Sequence, residues 1–126
     1  MANKILVVDD EPSVREMFSD LLKKEDCAVT VLSNAEEALQ LLEKECFDAV
    51  LMDIKLPGMS GMEALKKIKD NNPSLPVIMI TGFGYDEGLI AKCKEYSCNG
   101  YIGKNMPISQ IISSFKMFLK TAKEKR

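Results

Sequence analysis

The chain has 126 residues, 46% hydrophobic and 29% charged, with 17 basic and 19 acidic side chains and a net charge of −2. That is the balance of one soluble globular domain with a single core, without the basic field of a nucleic-acid binder or of a protein drawn to anionic membranes. No apolar run approaches the ~20 residues of a membrane span, and the absence of histidine excludes histidine zinc ligands, histidine general bases and a phosphohistidine of the chain's own.

Apolar runs of strand length alternate with segments of helical period. Lys4 to Val8 is apolar and β-branched and reads as a first strand, closed by Asp9 and Asp10. The acidic pair follows the apolar run at once, so MANKILVVDD does not have a signal peptide's plan. Pro12 to Glu25 carries Val14, Met17, Phe18, Leu21 and Leu22 at helical spacing, and Pro12 suits a first helical turn. Ala28 to Leu32 is a second strand. Asn34 caps a second helix, with Glu37 placed as in a capping box. Asp48 to Asp53 is a third strand and Pro57-Gly58 a turn. Ser60 with Glu63 repeats the capping-box pattern and opens a helix to about Asp70. Pro76 to Ile80 is a fourth strand ending at Thr81-Gly82. A fourth helix runs from about Asp86 to Tyr96, weakened by Gly88. Tyr101-Ile102 lies in a short fifth strand with Lys104 just beyond. Pro107 starts a last helix with Ile108, Ile111, Ile112, Phe115, Phe118 and Leu119. Residues 1–122 form the domain, and 123–126 a polar tail that frays. Cys27, Cys46, Cys93 and Cys98 contain no C-x-x-C pair and read as reduced thiols of a cytoplasmic protein.

Strands joined by helical crossovers imply a parallel sheet covered on both faces. Such sheets place their sites at the carboxyl ends of the strands. Those ends carry Asp9-Asp10, Asp53, Thr81 and Lys104, and only the second strand ends in nothing distinctive, Ser33. If the first and third strands are neighbours, three carboxylates converge, and their mutual repulsion calls for a cation. An open all-oxygen site of this kind suits Mg²⁺ better than a caged Ca²⁺. Lys104 and the Thr81 hydroxyl can then meet an anion beside the metal. A carboxylate nucleophile surrounded by such groups is suited to accept a phosphoryl group.

In this set of motifs (ILVVDDEPSVREMF, AVLMDIKLPGMSGMEALKKIK, VIMITGFG and YIGK) the chain resembles the response regulator receiver family, from Lys4 to about Leu119. The resemblance implies a flavodoxin-like, doubly wound (βα)5 three-layer sandwich with parallel strand order 2-1-3-4-5. It implies that Asp53 is the phosphoacceptor, Asp10 a direct Mg²⁺ ligand, Asp9 a ligand mainly through water, and the Lys55 main-chain carbonyl a third protein ligand. Thr81 and Lys104 would contact the phosphoryl oxygens. Tyr101 matches the aromatic that turns inward as the Thr81 hydroxyl moves, and the small Gly82 leaves room for the phosphodonor. The expected donors are a sensor histidine kinase, a histidine phosphotransfer protein or a small phosphodonor. The expected receivers of the signal are a downstream effector or output domain, or a second copy bound on phosphorylation through the face of the fourth helix, fifth strand and last helix. Direct contact with nucleic acid or membrane is not expected.

Phe83 and Lys55 occupy positions that tune dephosphorylation in the family; neither positions water well, which predicts slow self-dephosphorylation. Kinase choice falls to surface positions such as Ser13, Val14, Met17 and Phe83. The sequence departs from the family in two places. Asn105 follows Lys104 where proline is usual, which predicts a trans Lys104–Asn105 bond and a different loop. Ser97-Cys98 replaces Gly-Ala before the fifth strand, which predicts a tighter or strained turn. Two other functions compete. Haloacid dehalogenase-type phosphatases use Asp, Thr and Lys, but their nucleophile lies in D-x-D, whereas this chain has Asp53-Ile54-Lys55. A pseudo-receiver, a binding module never phosphorylated, would be signalled by loss of an acidic residue, and none is lost.

Overall fold

In a computed structural model, which describes residues 3–82 and 87–124, five strands and five helices alternate. They are β1 (Lys4–Val8), α1 (Pro12–Lys24), β2 (Ala28–Leu32), α2 (Ala35–Lys44), β3 (Ala49–Asp53), α3 (Gly61–Asn71), β4 (Val77–Thr81), α4 (Glu87–Glu95), β5 (Gly100–Gly103) and α5 (Ile108–Glu124). All strand pairs are parallel, in the order β2-β1-β3-β4-β5. The fold is thus the flavodoxin-like sandwich that the sequence implied.

Side-chain alternation divides the core. Ile5, Val7, Leu51, Ile78, Ile80 and Ile102 face α1 and α5, meeting Phe18, Leu22, Ile111, Phe115 and Leu119. Leu6, Val8, Val50, Met52, Val77 and Met79 face the other way, onto Ala35 and Ala38 of α2, Leu65 and Ile68 of α3, and Cys93 of α4. β1 and β3 are inaccessible along nearly all their length because helices cover both faces. No helix among the described residues is long and apolar enough to cross a membrane.

Local chemistry sets the element ends. Pro12 opens α1 at its first position. The Asn34 side chain accepts from Glu37 N at 2.8 Å, and Ser60 Oγ from Glu63 N at 3.2 Å. Gly58 takes φ 76°, the left-handed region that favours glycine, in the bend after Pro57. Asp48 stands just before β3, its carboxylate accepting from Lys4 N at 2.6 Å. The expected start of α4 at Asp86 lies outside the described residues. At the other end of the chain, α5 continues to Glu124, past the expected start of the polar tail.

α1 and α4 end alike. After α1, Cys27 N donates to Leu22 O and Asp26 N to Lys23 O, with Asp26 at φ 61°. After α4, Cys98 N donates to Cys93 O and Ser97 N to Lys94 O, with Ser97 at φ 64°. Both are Schellman closures, which need a left-handed residue and so favour glycine. The strain expected around Ser97-Cys98 therefore sits in the Ser97 backbone.

Candidate functional site

The registers bring the strand ends level. Val8 pairs with Met52, Asp53 with Ile80, and Thr81 with Gly103. Asp9, Asp53, Thr81 and Lys104 therefore meet along one edge, although they are far apart in sequence. Carboxylate oxygens of Asp9, Asp10 and Asp53 lie within 4.8 Å of one another. Asp9 and Asp53 are buried, whereas Asp10 is exposed at the mouth.

Lys104 reaches into this cluster from the turn after β5. Its Nζ lies 2.9 Å from Asp9 Oδ2, 3.0 Å from Glu11 Oε1 and 3.2 Å from Asp53 Oδ2. The Asp9 contact is an ion pair outside good hydrogen-bond geometry. Burial opposes the Lys104 charge, but the close carboxylates of Asp9, Glu11 and Asp53 prevail and hold the ammonium above the usual lysine range. Glu11 was not anticipated from sequence, where it reads only as the residue before a helical proline.

Asp53 bears the opposite imbalance. Burial, then the Asp9 charge, push its carboxyl up to about 6 against the pull of Lys104. Its Oδ1 accepts from Lys55 N at 3.4 Å, which fixes the exposed Lys55 main chain beside the acceptor. The Asp53 main chain is also confined. Gly61 N donates to Ile54 O at 2.9 Å, and a Cβ at Gly61 would overlap the Asp53 carbonyl. Only glycine fits there.

The Lys104 turn is closed without proline. Lys104 N donates to Thr81 O at 2.8 Å, Met106 N to Gly103 O at 3.2 Å, and Gly103 N to Met106 Sδ at 3.2 Å. The Lys104–Asn105 bond is trans, as expected. Thr81 is half-buried at the end of β4. Gly82 is exposed, and a Cβ there would make ordinary contact with Lys104 Cδ at 3.5 Å. Tyr101 points partly outward, 39% exposed on the edge strand, with Ile108 of α5 exposed as well. Of the surface positions on α1, Ser13 is exposed while Val14 and Met17 are half-buried. Phe83 lies outside the described residues.

The donor set fits a hard divalent cation. Three converging carboxylates, joined by Glu11, surround the Lys104 ammonium, and two of the acids, Asp9 and Asp53, are buried. Oxygen-only ligands at an open mouth suit Mg²⁺.

Comparison with known proteins agrees with this geometry. A sequence profile of the response regulator receiver domain matches residues 5–116. Sporulation initiation phosphotransferase F of Bacillus subtilis is 34% identical over 94% of this chain and 95% of its own length. The probable transcriptional regulatory protein TcrX of Mycobacterium tuberculosis is 32% identical over 92% of this chain, which spans 49% of that protein. A CheY-like response regulator receiver domain protein from Methanospirillum hungatei superposes with a TM-score of 0.92 over the full length of both chains, at 28% identity.

Proposed function

The chain belongs to the response regulator receiver family of two-component systems, and from that membership we propose that Asp53 accepts a phosphoryl group and thereby switches a partner-binding surface. The observation that carries this reading is the meeting of Asp9, Asp10 and Asp53 with Lys104 at the carboxyl edge of the sheet.

The ionised Asp53 carboxylate attacks the phosphorus of the donor. As its oxygen–phosphorus bond forms, the bond to the donor's histidine nitrogen, or to the acyl oxygen of a small acyl phosphate, breaks and that group leaves. With Asp53 titrating near 6, the nucleophilic form dominates at neutral pH. Lys104 already stands 3.2 Å from Asp53 and is placed to follow the new anionic oxygens. The Thr81 hydroxyl, level with Gly103 at the same edge, is the second group assigned to those oxygens. Asp9, Asp10 and the Lys55 carbonyl, together with Asp53, are the residues assigned to hold Mg²⁺. Bound there, the ion neutralises charge on the transferring oxygens. Gly82 adds no side chain beside the Lys104 stem, which suits the approach of a phosphodonor.

Phosphorylation adds on the order of −1.5 to −2 charge at Asp53. Thr81 and Lys104 shift toward it, Tyr101 turns inward, and the face made by α4, β5 and α5 changes its population of states. Outward Tyr101 and exposed Ile108 in the present structure suit the unphosphorylated state of that switch. A histidine kinase or phosphotransfer protein loads it, and an effector, output domain or second copy reads it. Decay of the acyl phosphate is slow, because Lys55 does not orient water.

Intact-mass measurement after acetyl phosphate and Mg²⁺ tests the assignment. One phosphoryl group should add to the wild type and none to Asp53→Asn. An unchanged wild-type mass would make the chain a binding module that is never phosphorylated.

A further inference from the structure

The Schellman closure of α4 does more than stop a helix. This motif brings the side chain three positions inside the helix against the one that follows the left-handed residue, a contact that is ordinarily apolar. After α1 the two positions are Leu22 and Cys27, an apolar residue and one thiol. After α4 they are Cys93 and Cys98, two thiols.

The 2.9 Å bond from Cys98 N to Cys93 O caps the separation of the two α-carbons at about 7 Å, the reach of a disulfide. Cys93 is buried against the sheet, while Cys98 is half-buried and open on one side. Lys69 of α3 fixes the place: its Nζ donates to Asn99 Oδ1 at 2.7 Å and to Leu75 O at 2.7 Å, and Asn99 Oδ1 also accepts from Val77 N at 2.9 Å. A fixed ammonium is therefore bonded to the residue that follows Cys98.

We propose that Cys93 and Cys98 form a reversible disulfide that responds to hydrogen peroxide and joins the end of α4 to the turn before β5. The Cys93 hydrogen bond, against the effect of burial, brings Cys98 down to about 7, with help from the Gly100 main chain, Lys69 and Lys94. Cys93 is held in the thiol form by that same bond and by burial. Cys98, half-buried where Cys93 is buried, is the thiol that peroxide can reach and so the attacking one, and Cys93 is the resolving thiol.

In the first step the Cys98 sulfur attacks one peroxide oxygen. The O–O bond breaks, a sulfenic acid forms, and hydroxide leaves to take up a proton as water. In the second, Cys93 sulfur attacks Cys98 sulfur, the S–O bond breaks, and the departing hydroxide leaves as water with the Cys93 proton. Two thiols are oxidised by two electrons as one peroxide is reduced to two waters, and a dithiol reductant reverses the change. Neither step involves Asp53, so this inference stands or falls apart from the phosphoryl assignment.

Trypsin cuts after Lys92, Lys94 and Lys104, which separates the two cysteines. The full chain is treated with one equivalent of hydrogen peroxide, alkylated with N-ethylmaleimide and digested. The expected result is a loss of two of the four alkylated cysteines, with Cys93-Lys94 linked to the Glu95–Lys104 peptide, and recovery of all four with dithiothreitol. In Cys93→Ala, given a second equivalent of peroxide, Cys98 should instead proceed through the sulfenic acid to sulfinic acid, each oxidation reducing one peroxide. Retention of four alkylated cysteines in the wild type, a bridge through Cys27 or Cys46, or sulfinic Cys98 in the wild type without the linked peptide would overturn the proposal.

Discussion

Replacing Asp53 by asparagine should make the metal-free protein more stable while abolishing its proposed activity. Burial and the Asp9 charge lift the folded-state carboxyl from 3.8 to about 6. A raised acid pKa means that the native state binds its proton more tightly than the unfolded chain, so stability falls as pH rises from about 4 to about 6. Below about 4 both states are protonated and the penalty vanishes; above about 6 it is complete. Two pKa units correspond to about 3 kcal/mol, and relaxation and water entry reduce that to about 1–3 kcal/mol. Asparagine keeps the shape and loses the charge, so Asp53→Asn should recover this amount at pH 7.5. For a domain of this size the melting temperature should rise by about 3–12 °C. Circular dichroism melts in a chelating buffer at pH 7.5 and pH 4.5 compare the full penalty with the smaller part that remains near the foot of the window. A variant less stable than wild type at pH 7.5, or an advantage undiminished at pH 4.5, would refute the electrostatic account. Mg²⁺ should then narrow the gap at pH 7.5, because it stabilises the wild type by binding.

Three other substitutions probe the scaffold. Gly61→Ala drives a methyl into the Asp53 carbonyl, and urea unfolding should show a loss of about 3 kcal/mol or more together with impaired phosphorylation by acetyl phosphate. Ser97→Gly relieves a left-handed backbone at 64°; it should gain about 0.5–1 kcal/mol in the same assay and leave phosphorylation of Asp53 unchanged. Asn99→Ala removes the acceptor shared by Val77 N and Lys69 Nζ, for a loss of about 1–3 kcal/mol and faster exchange of the Val77 amide.

Most elements were legible because their signals are local. Continuous apolar runs marked β1 and β3, and Asn34 and Ser60 marked helix starts through side-chain caps that the structure contains. The convergence of Asp9, Asp10 and Asp53 followed from one topological premise, that β1 and β3 are neighbours, and the pairing bears that out. What escaped depends on distant parts of the chain meeting. Glu11 joins Lys104 across 93 positions, and nothing around Glu11 announces it. Met106 closes the loop after β5 through a sulfur acceptor, a bond that no residue pattern encodes. The paired thiols were overlooked because C-x4-C has no meaning until a helix end folds back on itself.

The glycine at the start of α3 has a mechanical consequence. With Gly61 wedged against the Asp53 main chain and Ile54 bonded to both Gly61 and Ile80, the proposed acceptor has no slack on that side. It works as a fixed anvil: a load applied at Asp53 cannot be taken up by α3. The bond from Ile54 to Ile80 offers it a path sideways across the sheet, through β4 to the edge strand β5.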